Sequence, residues 1–210
     1  MIRSELQYKK RMKKILIATH NKAKLGEIML GVTLLINKGW KIYSLNDLHI
    51  LKDPEETGKT FEENAELKAK YYSQISKMPT IADDGGLMID HLQGEPGVKS
   101  KRWMGYETTD ENLIQYTLQQ LINVKKNNRT AYLQTCLCYF DPLSGKIIKE
   151  SERIKGYIAE KQSRKPTYGY PFRALFVVDT FNKYYDELTD KEHQKINHRI
   201  KALTRLINKI

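Results

Sequence analysis

Two aspartates, Asp83 and Asp84, directly follow the β-rich run Thr80-Ile81-Ala82, which sets paired negative charge at the edge of an apolar core. Carboxylates in such a place need a cation, a metal or hydrogen-bond donors. A second acidic group lies upstream, where the window Asp53 to Glu66 holds six acids and one lysine. Carboxylates from two separate loops suit Mg²⁺, a hard cation that takes oxygen ligands and bridges to substrate phosphates. Glu62, Glu63 and Glu66 read as solvated members of that run. Because neighbouring strand residues point to opposite faces, only one of Asp83 and Asp84 is expected to face a cleft fully. A third group, Thr19-His20-Asn21-Lys22-Ala23-Lys24, stands where a strand gives way to a helix. Backbone N–H groups, the positive helix end, the Asn21 amide and the Lys24 ammonium together fit a phosphate. The turn lacks the glycines of a P-loop, so solvated first-turn lysines describe Lys22 and Lys24 equally well.

These groups need elements to hold them. Lys14–Thr19 is a short apolar, β-rich run, and Leu25, Ile28, Met29, Val32, Leu35 and Ile36 then recur at helical spacing. Gly39 ends that helix, and residues 41–45 form a second strand. Thr60 with Glu63 makes a capping box for a helix that places Phe61, Ala65, Ala69 and Tyr72 on one face. After Pro79 a strand over 80–82 is expected to end in the turn Asp83-Asp84-Gly85-Gly86, with a further strand over 87–89. Thr108 with Glu111 introduces a helix carrying Leu113, Thr117, Leu121 and Val124. Strands over 130–140 and 146–158 flank the turn Asp141-Pro142-Leu143-Ser144-Gly145, and Ala174–Val178 is another strand. Thr189 with Glu192 caps a last helix with an apolar stripe at Ile196, Ile200, Leu203, Ile207 and Ile210. This order predicts an α/β protein with a mixed sheet.

At this point the residues form an ordered set: Thr19, Asn21 and Lys24; Glu55 to Ala69, reading E-E-T-G-x-T-F-x-E-N-A-x-x-K-A; Ile81 to Leu87; Gly94 to Arg102, reading G-x-P-G-V-x-S-x-R; and His198 to Leu203. The set, covering about residues 13–210, resembles the inosine triphosphate pyrophosphatase family. The resemblance implies a homodimeric α/β enzyme with an elongated mixed sheet flanked by helices and a cleft between two lobes. It implies hydrolysis of ITP, dITP and XTP to the monophosphate and pyrophosphate, with Mg²⁺ as cofactor, in nucleotide-pool sanitation. By the same resemblance Thr19, Asn21 and Lys24 hold the triphosphate, Glu56 and Asp84 bind Mg²⁺ or activate water, and Lys68 assists at the reacting phosphate. Asp83, assigned with them to the metal, shares the lining with Ser100 and Arg102, while His198 and Arg199 match the pair that reads the purine 6-oxo group. The chemistry is coherent: cations neutralise charge on the phosphoryl oxygens and leaving group while a carboxylate orients water.

Departures from the family pattern gather in the base-recognition half. Gly85 stands where the family has serine. The G-F-G-Y-D-P-x-F segment appears as Tyr168-Gly169-Tyr170-Pro171-Phe172 without the aspartate at Pro171, and the glycine-rich stretch before it is replaced by Glu160 to Lys165. A family lysine falls on His193 and a serine on Asn197. Loss of a carboxylate acceptor and a lysine is expected to change which base is bound, since unpaired buried polar groups cost about 1–3 kcal/mol each. Tyr168 suits a base-stacking role. It reads equally as a core or edge-strand tyrosine.

Length and composition bound the rest. The 210 residues carry 40% hydrophobic and 29% charged side chains, fitting one domain over 13–210 behind a basic extension at 1–12. No apolar run approaches the ~20 residues of a membrane span, and the basic start lacks a secretory pattern, which places the chain in the cytoplasm. The net charge of +11 is concentrated at the two ends rather than on a face interleaved with aromatics, which argues against a nucleic-acid platform. Cys136 and Cys138 share a strand face without a second pair, and read as packing residues. Trp103, Met104 and Tyr106 form an aromatic cluster that suits either an interface or a covered core. A nucleotide-binding sensor without hydrolysis is the alternative function. The intact acids oppose it, because a binder gains nothing from carboxylates beside a triphosphate.

Overall fold

The computed structural model describes residues 12–210; the expected basic extension lies outside the described residues except for Met12, which is exposed. One mixed sheet of seven strands runs through it in the order β2-β1-β3-β4-β5-β6-β7. Strands β1 (Lys13–Ala18), β2 (Trp40–Ser44) and β3 (Thr80–Ile89) pair in parallel. From β3 onward the pairing is antiparallel through β4 (Thr130–Phe140), β5 (Ile147–Ile158), β6 (Phe176–Val178) and β7 (Lys183–Tyr184). The parallel end is buried on both faces. Ile15 and Ile17 pack with α1 (Lys22–Gly31), α2 (Thr33–Asn37) and α6 (His198–Lys209). Leu16 and Ala18 pack on the other face with α3 (Phe61–Ser76), in a cluster that also holds Cys136 and Cys138. Burial pushes both thiols up to about 12, in keeping with packing residues. A third cluster fills the far end of the long strands, beneath α4 (Asp110–Gln120). Trp103 belongs to it, edge-on to Tyr116 and Phe172, while Tyr106 stays exposed.

Several local readings are corrected. Residues 80–89 form one unbroken strand, and Asp83-Asp84-Gly85-Gly86 is not a turn. The glycines are there for close approach: a Cβ on Gly85 would lie 2.4 Å from the Gln134 carbonyl oxygen, and one on Gly86 2.1 Å from Ser100 Oγ. At this spacing a serine at Gly85 would require the Gln134 backbone to shift. Helix α4 is capped by Thr109 rather than Thr108, with Oγ1 accepting from Asn112 N. Thr60 caps α3 as expected, but the Glu63 carboxylate accepts from Lys59 N instead of the cap residue. The predicted first helix breaks at Val32, leaving Met29 and Ile36 exposed. The predicted last helix is two: α5 (Asp190–Ile196), with the Thr189–Glu192 capping box, and α6. Asn197 ends one and caps the other through its side chain, which accepts from Ile200 N.

Candidate active site

The carboxyl end of β1 and the middle of β3, Asp83 to Gly86, line a cleft of about 460 Å³, within the size range of small-ligand sites. At the end nearest the start of α1, Asn21 caps the helix, with Oδ1 accepting from Ala23 N and Lys24 N. Thr19 Oγ1 in turn accepts from Asn21 N and fixes the turn. No acid occupies the first turn of α1, so the helix end stays positive. Lys24 extends from that turn to Asp83, 2.8 Å away.

The acidic loop is fastened next to α3 by Asn64, whose Oδ1 accepts from Gly58 N at 2.8 Å. This holds Glu56 twelve residues before Lys68 in sequence yet beside it in space. The Lys68 ammonium donates to Glu56 Oε1 and Asp84 Oδ1, at 2.9 Å each. Burial raises the proton affinity of Asp84, and Lys68 only partly offsets that. Burial acts on Glu56 in the same sense, but Lys68 and the more distant Lys24 and Arg102 outweigh it and hold this carboxyl below its ordinary range. One carboxylate is thus a better proton acceptor than the other. The buried Asp84 Oδ2 has no hydrogen-bond partner among the described residues.

Strand alternation sends Asp83 to the opposite face from Asp84, as anticipated, yet both line the cleft. Asp83 is fully buried and committed to cations. Arg199 Nε lies 3.3 Å from it, Lys24 reaches it, and Thr135 donates its hydroxyl to it. These partners overcome burial and keep its carboxyl well below the ordinary range. In this structure Asp83 is thus engaged as an ion-pair partner of Lys24 and Arg199. Ser100 lines the cleft, where its Oγ accepts from Leu87 N and donates to Gly97 O. Arg102 stands at the rim, 3.7 Å from Glu56.

At the other end His198 and Arg199 are buried at the start of α6. Burial, reinforced by Arg199, depresses the His198 imidazolium well below its ordinary range, so the ring is neutral. Its Nδ1 has no partner among the described residues. Two expected residues are not brought to the cleft. Tyr168 is 94% exposed and outside the lining, because Gly169 N–H is tied to Asp110 and turns Tyr170 inward instead. His193 stands behind the lining, 3.3 Å from Glu27 Oε1 and edge-on to Tyr185.

Glu27, Tyr170 and Arg173 are the cleft-end residues that sequence reading missed. Glu27 is buried on α1 and accepts from Arg173, Arg199, Asn197 and Tyr170. Its available signal was a spacing of three residues from Lys24, which puts both on one helix face. Its partners are 143 to 172 residues away in sequence, and nothing local announces them.

Fold and cleft together define an α/β protein whose cleft sets a capped helix start beside a lysine-bridged carboxylate pair. The chain belongs to the Ham1 family, whose model matches residues 15–209. It is 38% identical over 196 residues to the dITP/XTP pyrophosphatase of Bacillus subtilis strain 168, covering 93% of this chain and 96% of that protein. A dITP/XTP pyrophosphatase of Thermoanaerobacter pseudethanolicus is 38% identical over 199 residues, 94% and 96% of the two chains. Among solved structures, a HAM1 protein from Coxiella burnetii superposes with a TM-score of 0.81 at 31% identity, covering 94% of this chain and 98% of that one.

Proposed function

We propose that this chain is a nucleoside triphosphate pyrophosphatase of the cytoplasmic nucleotide pool, with residues 13–210 as its single catalytic domain. Its substrates are ITP, dITP, XTP or a related purine nucleotide, and its products the monophosphate and pyrophosphate. The observation that carries this reading is Lys68 bridging Glu56 and Asp84 beside the capped start of α1. Relatives named dITP/XTP pyrophosphatase over nearly the whole chain support the substrate class.

The α1 N-terminus, Asn21 and Lys24 bind the triphosphate, and Lys68 and Arg102 neutralise charge on the phosphoryl oxygens. The donor set suits a divalent ion: two carboxylates from separate segments, with the Asp84 Oδ2 lone pairs unused. No cluster of three acid, histidine or cysteine ligands occurs among the described residues, so phosphate and water oxygens would complete the shell, as Mg²⁺ prefers. When bound by Glu56 and Asp84, Mg²⁺ would supply charge stabilisation for the leaving group. One carboxylate of the pair, Glu56 or Asp84, takes a proton from the attacking water as the water oxygen bonds to the α-phosphorus. The bond from that phosphorus to the bridging oxygen breaks, and pyrophosphate leaves. Asp84→Asn should lower kcat for pyrophosphate release by about 10²–10⁴-fold. Undiminished release would overturn the assignment, and nucleotide binding without any release by the unaltered protein would favour a sensor. Homodimerisation belongs to the same proposal, carried by the family resemblance alone.

A further inference from the structure

At the end of the cleft away from Glu56 and Asp84, one carboxylate holds two guanidinium groups side by side. Glu27 Oε1 accepts from Arg173 Nη2 at 2.5 Å, and Oε2 accepts from Arg199 Nη1 at 2.9 Å. The Arg173 guanidinium carbon also stands 3.3 Å from the Tyr170 ring centroid and 4.5 Å from that of Tyr185. A planar group held by two aromatic rings and a carboxylate has little rotational freedom left. Its Nε and Nη1 donors meet no acceptor among the described residues, and the residue lines the cleft. Fixed donors without acceptors at a cleft wall select a ligand that brings acceptors, because a ligand lacking them leaves those donors unpaired.

This inference rests on the proposed purine nucleotide reading and goes beyond it. We propose that Arg173 is a specificity-determining residue that donates to a second carbonyl oxygen of the base, next to the carbonyl that the family resemblance assigns to Arg199. The three 6-oxopurines differ at the neighbouring ring carbon, on the other side of the same ring nitrogen. Xanthine carries a carbonyl there, hypoxanthine a hydrogen and guanine an amino group. A guanidinium pairs with the first, gains nothing from the second and opposes the third, donor against donor. The order of preference is therefore XTP, then ITP, then GTP.

The test is kcat/KM for pyrophosphate release from XTP, ITP and GTP with Mg²⁺. The unaltered protein should favour XTP over ITP by about tenfold or more, the range one added polar contact gives, with GTP the poorest. Arg173→Met keeps the length and apolar stem, removes the donors and leaves Glu27 paired to Arg199 and Asn197. In this variant the XTP to ITP ratio should fall to near one, chiefly through loss on XTP. Equal use of XTP and ITP by the unaltered protein overturns the inference, as does an equal loss on both substrates in the variant. The first comparison needs no variant, so it decides even if Arg173→Met does not fold. Absence of release from all three would sink the pyrophosphatase reading instead. Calorimetric binding of XTP and ITP to Asp84→Asn then makes the same comparison without turnover, and equal affinities would again count against Arg173.

Discussion

Lys68 balances two carboxylates that would otherwise face each other in a buried space. Replacing it by methionine leaves Asp84 unpaired and Glu56 with only Arg102 nearby, and breaking a buried ion pair from one side costs about 3–5 kcal/mol. Lys68→Met should therefore unfold at lower urea as well as lose turnover. Adding Asp84→Asn to it removes one of the stranded charges. The double variant should recover part of the stability but none of the activity, a split readable by comparing urea midpoints with pyrophosphate release. If stability and activity returned together, Lys68 would have only a structural role. These residues were legible in sequence because their types are unusual for their places: paired aspartates after an apolar run, and an acidic loop before a helix. Glu27 and Arg173 were not, since one charged residue on a helix and one in a loop are ordinary until their partners are known.

At the scale of elements, the continuous strand β3 carries the site. A glycine pair between aspartates and apolar residues signals a turn by local rules, and only the neighbouring strand and Ser100 show why side chains are excluded there. Gly85→Ala must push β3 away from β4 or shift Gln134, and overpacking of this kind costs about 1–3 kcal/mol. Gly26→Ala meets nothing within 4 Å on helix α1 and should instead stabilise by about 0.5–1 kcal/mol. Thermal or urea unfolding of the two variants should move in opposite directions. Similar shifts of one sign would refute the close-approach account. The break at Asn197 was hidden for a related reason. The apolar stripe continues across it, and what turns the chain is a buried amide that caps α6 and donates to Glu27.

For the molecule as a whole, the buried charges set how stability depends on pH. Burial favours the neutral forms of Glu27 and Asp83, but the His193 hydrogen bond and two arginines for Glu27, and Arg199 with Lys24 for Asp83, hold both well below their ordinary values of 4.5 and 3.8. Such groups contribute stability above those ordinary values, and it is lost as pH falls, because the unfolded chain takes up protons that the folded chain refuses. His198 acts in the same sense at higher pH: burial and then Arg199 depress it below 6.5, so protons are taken up only on unfolding as pH falls past that value. Urea unfolding should therefore show stability falling from about pH 6.5 downward and more steeply below about pH 4.5, by up to about 1.4 kcal/mol per pH unit for each group. A flat profile from pH 7 to 4 would contradict the burial of these charges. Glu27→Gln should make the lower limb shallower.

Sequence alone determined the element types, the mixed α/β class, the strand-to-helix turn at Asn21 and the acids that flank it, because hydrophobic period, caps and motif spacing are local properties of the chain. Tertiary structure alone decided that Asp83 meets Lys24 and Arg199, that Tyr168 points to solvent while Tyr170 turns inward, and that Glu27 gathers two arginines at one end of the cleft. Each of those outcomes depends on which distant charges and backbones come within a few ångströms of one another, and proximity between residues far apart in the chain is written in no single segment.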